Sequence, residues 1–155
     1  MKNEFLAKSN GETIMEHTEN LINNFKIFFT IYSDVNVVKK LLLLACIYHD
    51  LGKINKKFQS KLSGQKQNGE LPHGLLSTSF IDSKSLSENG FDKSDIKVLS
   101  YSVALHHERD ISEISEEDFS KEIELMNIEA DYFLKYLEKL QNIYFDYVNK
   151  NIEEN

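Results

Sequence analysis

LLLLACIYHDLGKINKKFQ, residues 41–59, decides the fold of this chain. A run from Leu41 to Tyr48 that is apolar on nearly every face gives way abruptly to two ionisable residues, His49 and Asp50. Such a run reads as a helix buried all round, and it is far too short to span a bilayer. The pattern predicts a central helix over Val37 to Tyr48, ended by Gly52, with a short basic helix from Asn55 to Leu62. His49 and Asp50 then stand either at an ordinary helix terminus or on a rigid mount for chemistry. The rest of the sequence decides between the two.

Upstream, Thr13-Ile-Met-Glu16 has the form of a capping box. Ile14, His17, Leu21, Phe25, Phe28 and Tyr32 follow at spacings of three and four, which predicts an amphipathic helix with those residues inward. Downstream, SGQKQNGELP (63–72) reads as a loop. Gly74 to Ser83 is a third expected helix, interrupted by SENG at 87–90. Ser94 or Asp95 is expected to cap a fourth, running through Val98, Leu99 and Val103 to His107. Ile111 to Glu117 reads as an acidic connector. From Phe119 a long helix is expected, with Phe133, Tyr136, Leu137, Leu140, Ile143, Tyr144 and Tyr147 on one stripe. One proline, six glycines and no strand alternation make the fold class all-α.

A chain of 155 residues, 41% hydrophobic and 28% charged, fits one globular domain over 1–155. No signal peptide is legible in MKNEFLAKSN. The lone Cys46 reads as a small core residue and leaves no internal disulfide, so the expected location is the cytoplasm, away from membranes. A net charge of −7 argues against a general nucleic-acid binder. The charge is uneven, however. Residues 108–155 hold 14 acids against five bases, whereas the stretch between Leu51 and Gly69 holds Lys53, Lys56, Lys57, Lys61 and Lys66 and no acid. That run is either a solvated face or a local surface that attracts phosphate.

The five histidines are His17, His49, His73, His106 and His107. Each alone has an ordinary reading: a hydrogen-bonded core residue, a loop residue, a helix terminus. Together they lie on an inward helix face or at helix ends, the places where separate segments converge. Imidazole nitrogen plus carboxylate oxygen is the ligand set of Zn, Mn, Fe, Co or Ni. Cys46, held inside its helix, offers no thiolate. A mixed His/Asp site suits activation of water better than electron transfer.

These residues resemble the HD superfamily of metal-dependent phosphohydrolases. More narrowly, HDLGKINKKFQ, PHGLLS and ALHHERD, with AKSNGETIMEH before them, resemble the HD nuclease domain of the CRISPR-associated type I helicase–nuclease, over about Ala7 to Asp110. The resemblance implies a helical domain with a central site for one or two divalent ions (Mn, Ni, Co, Fe or Zn, with Mg also admitted). His17, His49 and Asp50 would hold one ion, and Asp50 would bridge to a second held by His73, His106 and His107. A shared carboxylate keeps two ions about 3.5–4 Å apart, a spacing suited to phosphodiester hydrolysis. Asp50, His49 and Lys53 would be the catalytic group, with Lys53 against a phosphate oxygen. Lys53, Lys56, Lys57 and Lys61 would line a path for single-stranded DNA, with Phe58 either stacking on a base or in the core. The implied partners are a CRISPR helicase domain or subunit and the type I surveillance complex.

One departure sets this chain apart. The family completes its first metal with an aspartate on a late helix, and here the chain ends early for that ligand. Asp131 is the candidate substitute and Asp146 a poorer one. The expectation is a site assembled differently or a domain truncated at its C-terminus. No G-x-x-x-x-G-K-[ST] phosphate loop occurs, so no helicase domain is expected within the chain. Three other functions stay open at this point: the HD domain of a type III CRISPR polymerase subunit, an HD phosphohydrolase of nucleotides, and a non-catalytic metal-binding helical module.

Overall fold

The computed structural model describes residues 5–33, 38–107 and 111–127, together with positions 138 and 142. Among these residues the chain is all-α. The helices are α1 (Ile14–Ile31), α2 (Lys39–Tyr48), α3 (Lys56–Leu62), α4 (His73–Ser77), α5 (Ser83–Glu88), α6 (Lys93–Ala104) and α7 (Glu116–Asn127). Two 3₁₀ turns, Leu51–Ile54 and Thr78–Phe80, follow α2 and α4. The stripe expected beyond Asn127 lies outside the described residues.

The helix starts follow from local chemistry. Thr13 caps α1 by accepting from the Glu16 N–H, and the Glu16 carboxylate accepts from the Thr13 N–H. Asn55 caps α3 through the Phe58 N–H at 2.8 Å, and Asp82 caps α5. The cap of α6 is Asp92, paired with Asp95 in a second capping box, rather than Ser94 or Asp95. Asp92 wins because only there does a carboxylate stand three residues ahead of another, so that both orphan N–H groups are met.

α2 is the spine of the core. It packs against α1 on one side and α6 on the other, while α4 packs on α6 and on the Leu51–Ile54 turn. Leu43, Leu44, Ile47 and Tyr48 are buried, each aliphatic side chain contributing about 2 kcal/mol. From α1 come Ile14, Thr18, Ile22, Phe25 and Phe29. That stripe is rotated from the expected one. Phe28 and Tyr32 are exposed, and His17 and Leu21 sit half-buried on its edge. The rotation puts the His17 ring at the rim of the core rather than within it.

Other boundaries differ from expectation. α6 ends at Ala104, so His106 and His107 lie in the turn after it, and Val98 faces outward. The segment expected as one helix over 74–83 is α4 plus a 3₁₀ turn, with α5 starting at Ser83. α7 begins at Glu116, inside the expected connector. Cys46 is half-buried, and burial pushes its thiol up to about 11, so it stays protonated at neutral pH.

Gly52 does not end α2, which stops at Tyr48. A Cβ at Gly52 would stand 2.0 Å from the His73 carbonyl oxygen and 2.8 Å from the Ser77 nitrogen. Gly74 is similar: a Cβ there would meet the Ala104 oxygen at 2.7 Å and the Val103 oxygen at 2.8 Å. The glycines of HDLGK and PHG therefore let three backbones close on one another, bringing the ends of α2 and α6 to the first turn of α4.

Candidate metal centre

Those three backbones, with α1, deliver the histidines to a single carboxylate. Asp50 is 2% exposed and begins the Leu51–Ile54 turn. Its two oxygens face different groups. His17 Nε2 and His49 Nε2 each lie 3.3 Å from Oδ2. His73 Nε2 lies 3.2 Å and His106 Nε2 3.7 Å from Oδ1. His73 and His106 approach each other at 3.2 Å through their Nε2 atoms. The exposed His107 ring completes the second group, its centroid 4.9 Å from that of His73 and 4.1 Å from that of His106.

The far nitrogens explain the ring orientations. His49 Nδ1 donates to the Cys46 carbonyl at 2.8 Å, and His106 Nδ1 donates to the Val103 carbonyl at 2.7 Å. His17 Nδ1 donates to Glu12 Oε1 at 3.2 Å, and Lys8 in turn holds Glu12. A carbonyl or carboxylate only accepts, so Nδ1 carries the proton in each neutral ring. In that neutral form the Nε2 lone pairs point at the Asp50 oxygens, whereas a protonated ring would donate to them. Two acceptors face to face repel unless a cation stands between them. Asp50 Oδ1, fully buried, has no hydrogen-bond partner of its own. Both observations fit a cation-binding site, and the described residues form two ligand groups of suitable reach: His17, His49 and Asp50, and Asp50, His73, His106 and His107.

The charges are tuned accordingly. Burial alone would raise the Asp50 carboxyl, but the rings of His106, His49 and His73 and the charge at His49 hold it well below the usual carboxylate range. Burial lowers the His73 pKa against the opposing pull of Asp50. Burial and the neighbouring His106 and His73 also lower that of His107. An ionised carboxylate, with the His73 and His107 rings pushed toward the neutral form, matches what metal ligation requires.

Lys53 does not sit on the surface. It is buried, with Nζ 2.8 Å from Asp50 Oδ2 and 3.4 Å from the Ala7 carbonyl, over the Phe58 ring at 5.5 Å. Phe58 is half-buried against His73. The lysine run is less bare than its sequence: Lys57 pairs with Glu122 of α7, and Lys61 with Glu70 at 3.0 Å. Lys56 and Lys66 are exposed. Asp131 and Asp146 lie outside the described residues.

Two contributors escape a reading of the sequence. Glu12 orients His17 from the segment before α1, which an isolated Leu6–Thr13 bridge and Gln59 tie down. Ser77 is fully buried and touches the backbones of His49, Gly52 and His73. The spacing of four between His73 and Ser77 is visible in PHGLLS, but nothing there shows that the hydroxyl faces another segment.

A helical domain with two histidine groups sharing one buried aspartate defines the class: an HD-type metal-dependent phosphohydrolase. A sequence profile of the family described as "Cas3, HD domain" matches residues 12–151. The chain belongs to that family, the metal-dependent HD hydrolases of CRISPR systems. Comparison with curated proteins and with solved structures finds no match. Among the described residues, no helix is long and apolar enough to cross a membrane.

Proposed function

We propose that this domain is a nuclease that hydrolyses the phosphodiester bonds of single-stranded DNA in type I CRISPR interference. It would act beside a helicase domain or subunit and the surveillance complex, within the cytoplasm, as one domain over 1–155. The observation that carries the reading is the division of Asp50, one oxygen toward His17 and His49, the other toward His73 and His106. Bound divalent ions would supply a hydroxide nucleophile at neutral pH and offset charge on the phosphate. Asp50 would bridge the two ligand groups, held ionised. The Nδ1 hydrogen bonds of His17, His49 and His106 would keep each Nε2 aimed inward. Lys53 would balance the Asp50 charge from beneath rather than reach a phosphate. The exposed edge at His107 would admit substrate, with Lys56 and Lys61 the exposed members of the four lysines first expected to line a DNA path. If a late aspartate completes the first group, Asp131 is the residue to test.

The experiment uses metal-free protein given Mn²⁺, Ni²⁺, Co²⁺, Fe²⁺, Zn²⁺ or Mg²⁺ singly, with single-stranded DNA, mononucleotides and cyclic nucleotides as substrates. DNA cleavage that needs a transition metal and vanishes in Asp50→Ala is expected. Turnover of nucleotides without DNA cleavage would point to a small-nucleotide phosphohydrolase. Cleavage that survives without metal or without Asp50 would overturn the mechanism.

A further inference from the structure

We propose that Ser77 is a positioning residue whose hydroxyl sets the separation of the two ligand groups around Asp50, and so governs whether two cations bind together at that carboxylate. The inference rests on the metal-centre reading above. Ser77 ends α4, four residues after His73, and is 0% exposed. Its Oγ accepts from the Gly52 N–H at 2.7 Å. The one hydroxyl proton is shared between the His49 carbonyl at 2.9 Å and the His73 carbonyl at 2.8 Å.

The bond to His73 is the ordinary return of a helical serine to the carbonyl four residues back. The other two are not local: they reach 28 and 25 residues back to the turn that carries His49 and Asp50. One atom therefore ties the backbone of the first ligand group to that of the second. The fit leaves no slack, because a Cβ at Gly52 would fall 2.8 Å from the Ser77 nitrogen. Ser77 is sealed from solvent and all three of its hydroxyl bonds go to backbone atoms, so it acts through the backbones that bear the ligands. Without the hydroxyl, a buried N–H and a buried carbonyl lose their partner, and the turn is free to shift against α4. Metal ligands tolerate displacements of only about 0.2 Å, and groups that orient them are typically worth about 10–100-fold in metal affinity.

The test titrates the full metal-free chain with Mn²⁺, following calorimetry and the electron paramagnetic resonance signal, which separates a coupled ion pair from isolated ions. Wild type is expected to bind two ions with a coupled signal. Ser77→Ala should keep the first ion, bind the second about 10–100-fold more weakly, and show mainly the uncoupled signal. Ser77→Cys, of similar shape with weaker hydrogen bonding, should fall between, and it carries the test if Ser77→Ala does not fold. Leu86→Ala, a buried α5 position outside the site, controls for stability alone and should keep both ions and the coupling. Wild-type pairing and affinity in both Ser77 variants would overturn the proposal. So would an equal loss in Leu86→Ala. A wild type that binds only one ion overturns the Ser77 role while the metal-centre reading stands, and one that binds none overturns both.

Discussion

Gly52→Ala tests how the two halves of the centre are held together. An alanine usually stabilises a chain by about 0.4–1 kcal/mol relative to glycine, where the backbone conformation suits both. Here sterics outweigh that gain. The added methyl would stand 2.0 Å from the His73 carbonyl oxygen, 2.8 Å from Leu76 Cβ and 2.8 Å from the Ser77 nitrogen. Even a close carbon–oxygen contact needs about 3.3 Å, so the turn and α4 must part by more than about 1 Å. Two of the three obstacles are backbone atoms, which no change of rotamer removes. Overpacking of this kind costs about 1–3 kcal/mol, and for a chain this long that lowers Tm by about 2–12 °C. The larger effect falls on the site. His73 is 3.2 Å from Asp50 Oδ1, and a displacement of about 1 Å takes its Nε2 out of reach of an ion shared with that oxygen. Thermal unfolding and Mn²⁺ titration of the variant should show a lower Tm and loss of the second ion. Catalysis should fall by about 100-fold or more, the usual cost of a misplacement of that size. A variant that melts within about 2 °C of wild type and still binds two ions would refute the close-approach argument.

Three further outcomes are expected. The metal-free chain should lose stability in two stages on acidification. Burial lowers the His73 pKa, so the unfolded chain takes up its proton first, near pH 6.5, and stability falls as the pH drops below that value. Asp50, held low, contributes stability above about pH 4 that is lost as the pH falls further. Melting curves from pH 7.5 to pH 3 check this, and His73→Gln should flatten the first stage. Lys53→Met removes the ammonium 2.8 Å from Asp50 and should lower the Tm of the metal-free chain, while added Mn²⁺ restores more of the loss than it adds to wild type. An unchanged response to metal would show that Lys53 and the ion do not balance the same charge. Thr13→Ala removes the α1 cap and should cost about 1 kcal/mol in urea unfolding without changing how many Mn²⁺ ions bind.

The line of inheritance from sequence to structure is clear at particular residues. Thr13–Glu16 is a local signal, read within four residues, and its capping box forms, while Asn55, expected as the first residue of a short helix, serves as its cap. The run from Leu41 to Tyr48 is mostly buried because its composition leaves no polar face to turn outward, and only Leu42 is exposed while Ala45 and Cys46 are half-buried. The stripe of α1 was less legible. Phe25, Phe28 and Phe29 are equally apolar, and only the packing of α2 selects Phe25 and Phe29. The cap of α6 shows the same limit in miniature, since the polar cluster DKSD at 92–95 offers several oxygen acceptors and the helix uses the one with a reciprocal partner.

By itself the sequence determined the candidate donors: five imidazoles and one carboxylate, in an order that matches the HD family, most of them where apolar helices end. Those are properties of residue type and local spacing. Only the tertiary structure decided how Asp50 is shared, because which oxygen faces which ring depends on α1, α4 and α6 closing around the end of α2. It also decided the fate of the lysines. A run free of acids within its own segment meets Asp50 three residues before Lys53, Glu70 nine residues after Lys61, and Glu122 of α7, a partner for Lys57 that only the folding of α7 onto α3 supplies. And it turned the glycines of HDLGK and PHG from punctuation into contact points, because the cost of a methyl group is set by the backbone opposite, which no neighbouring residue in the sequence reveals.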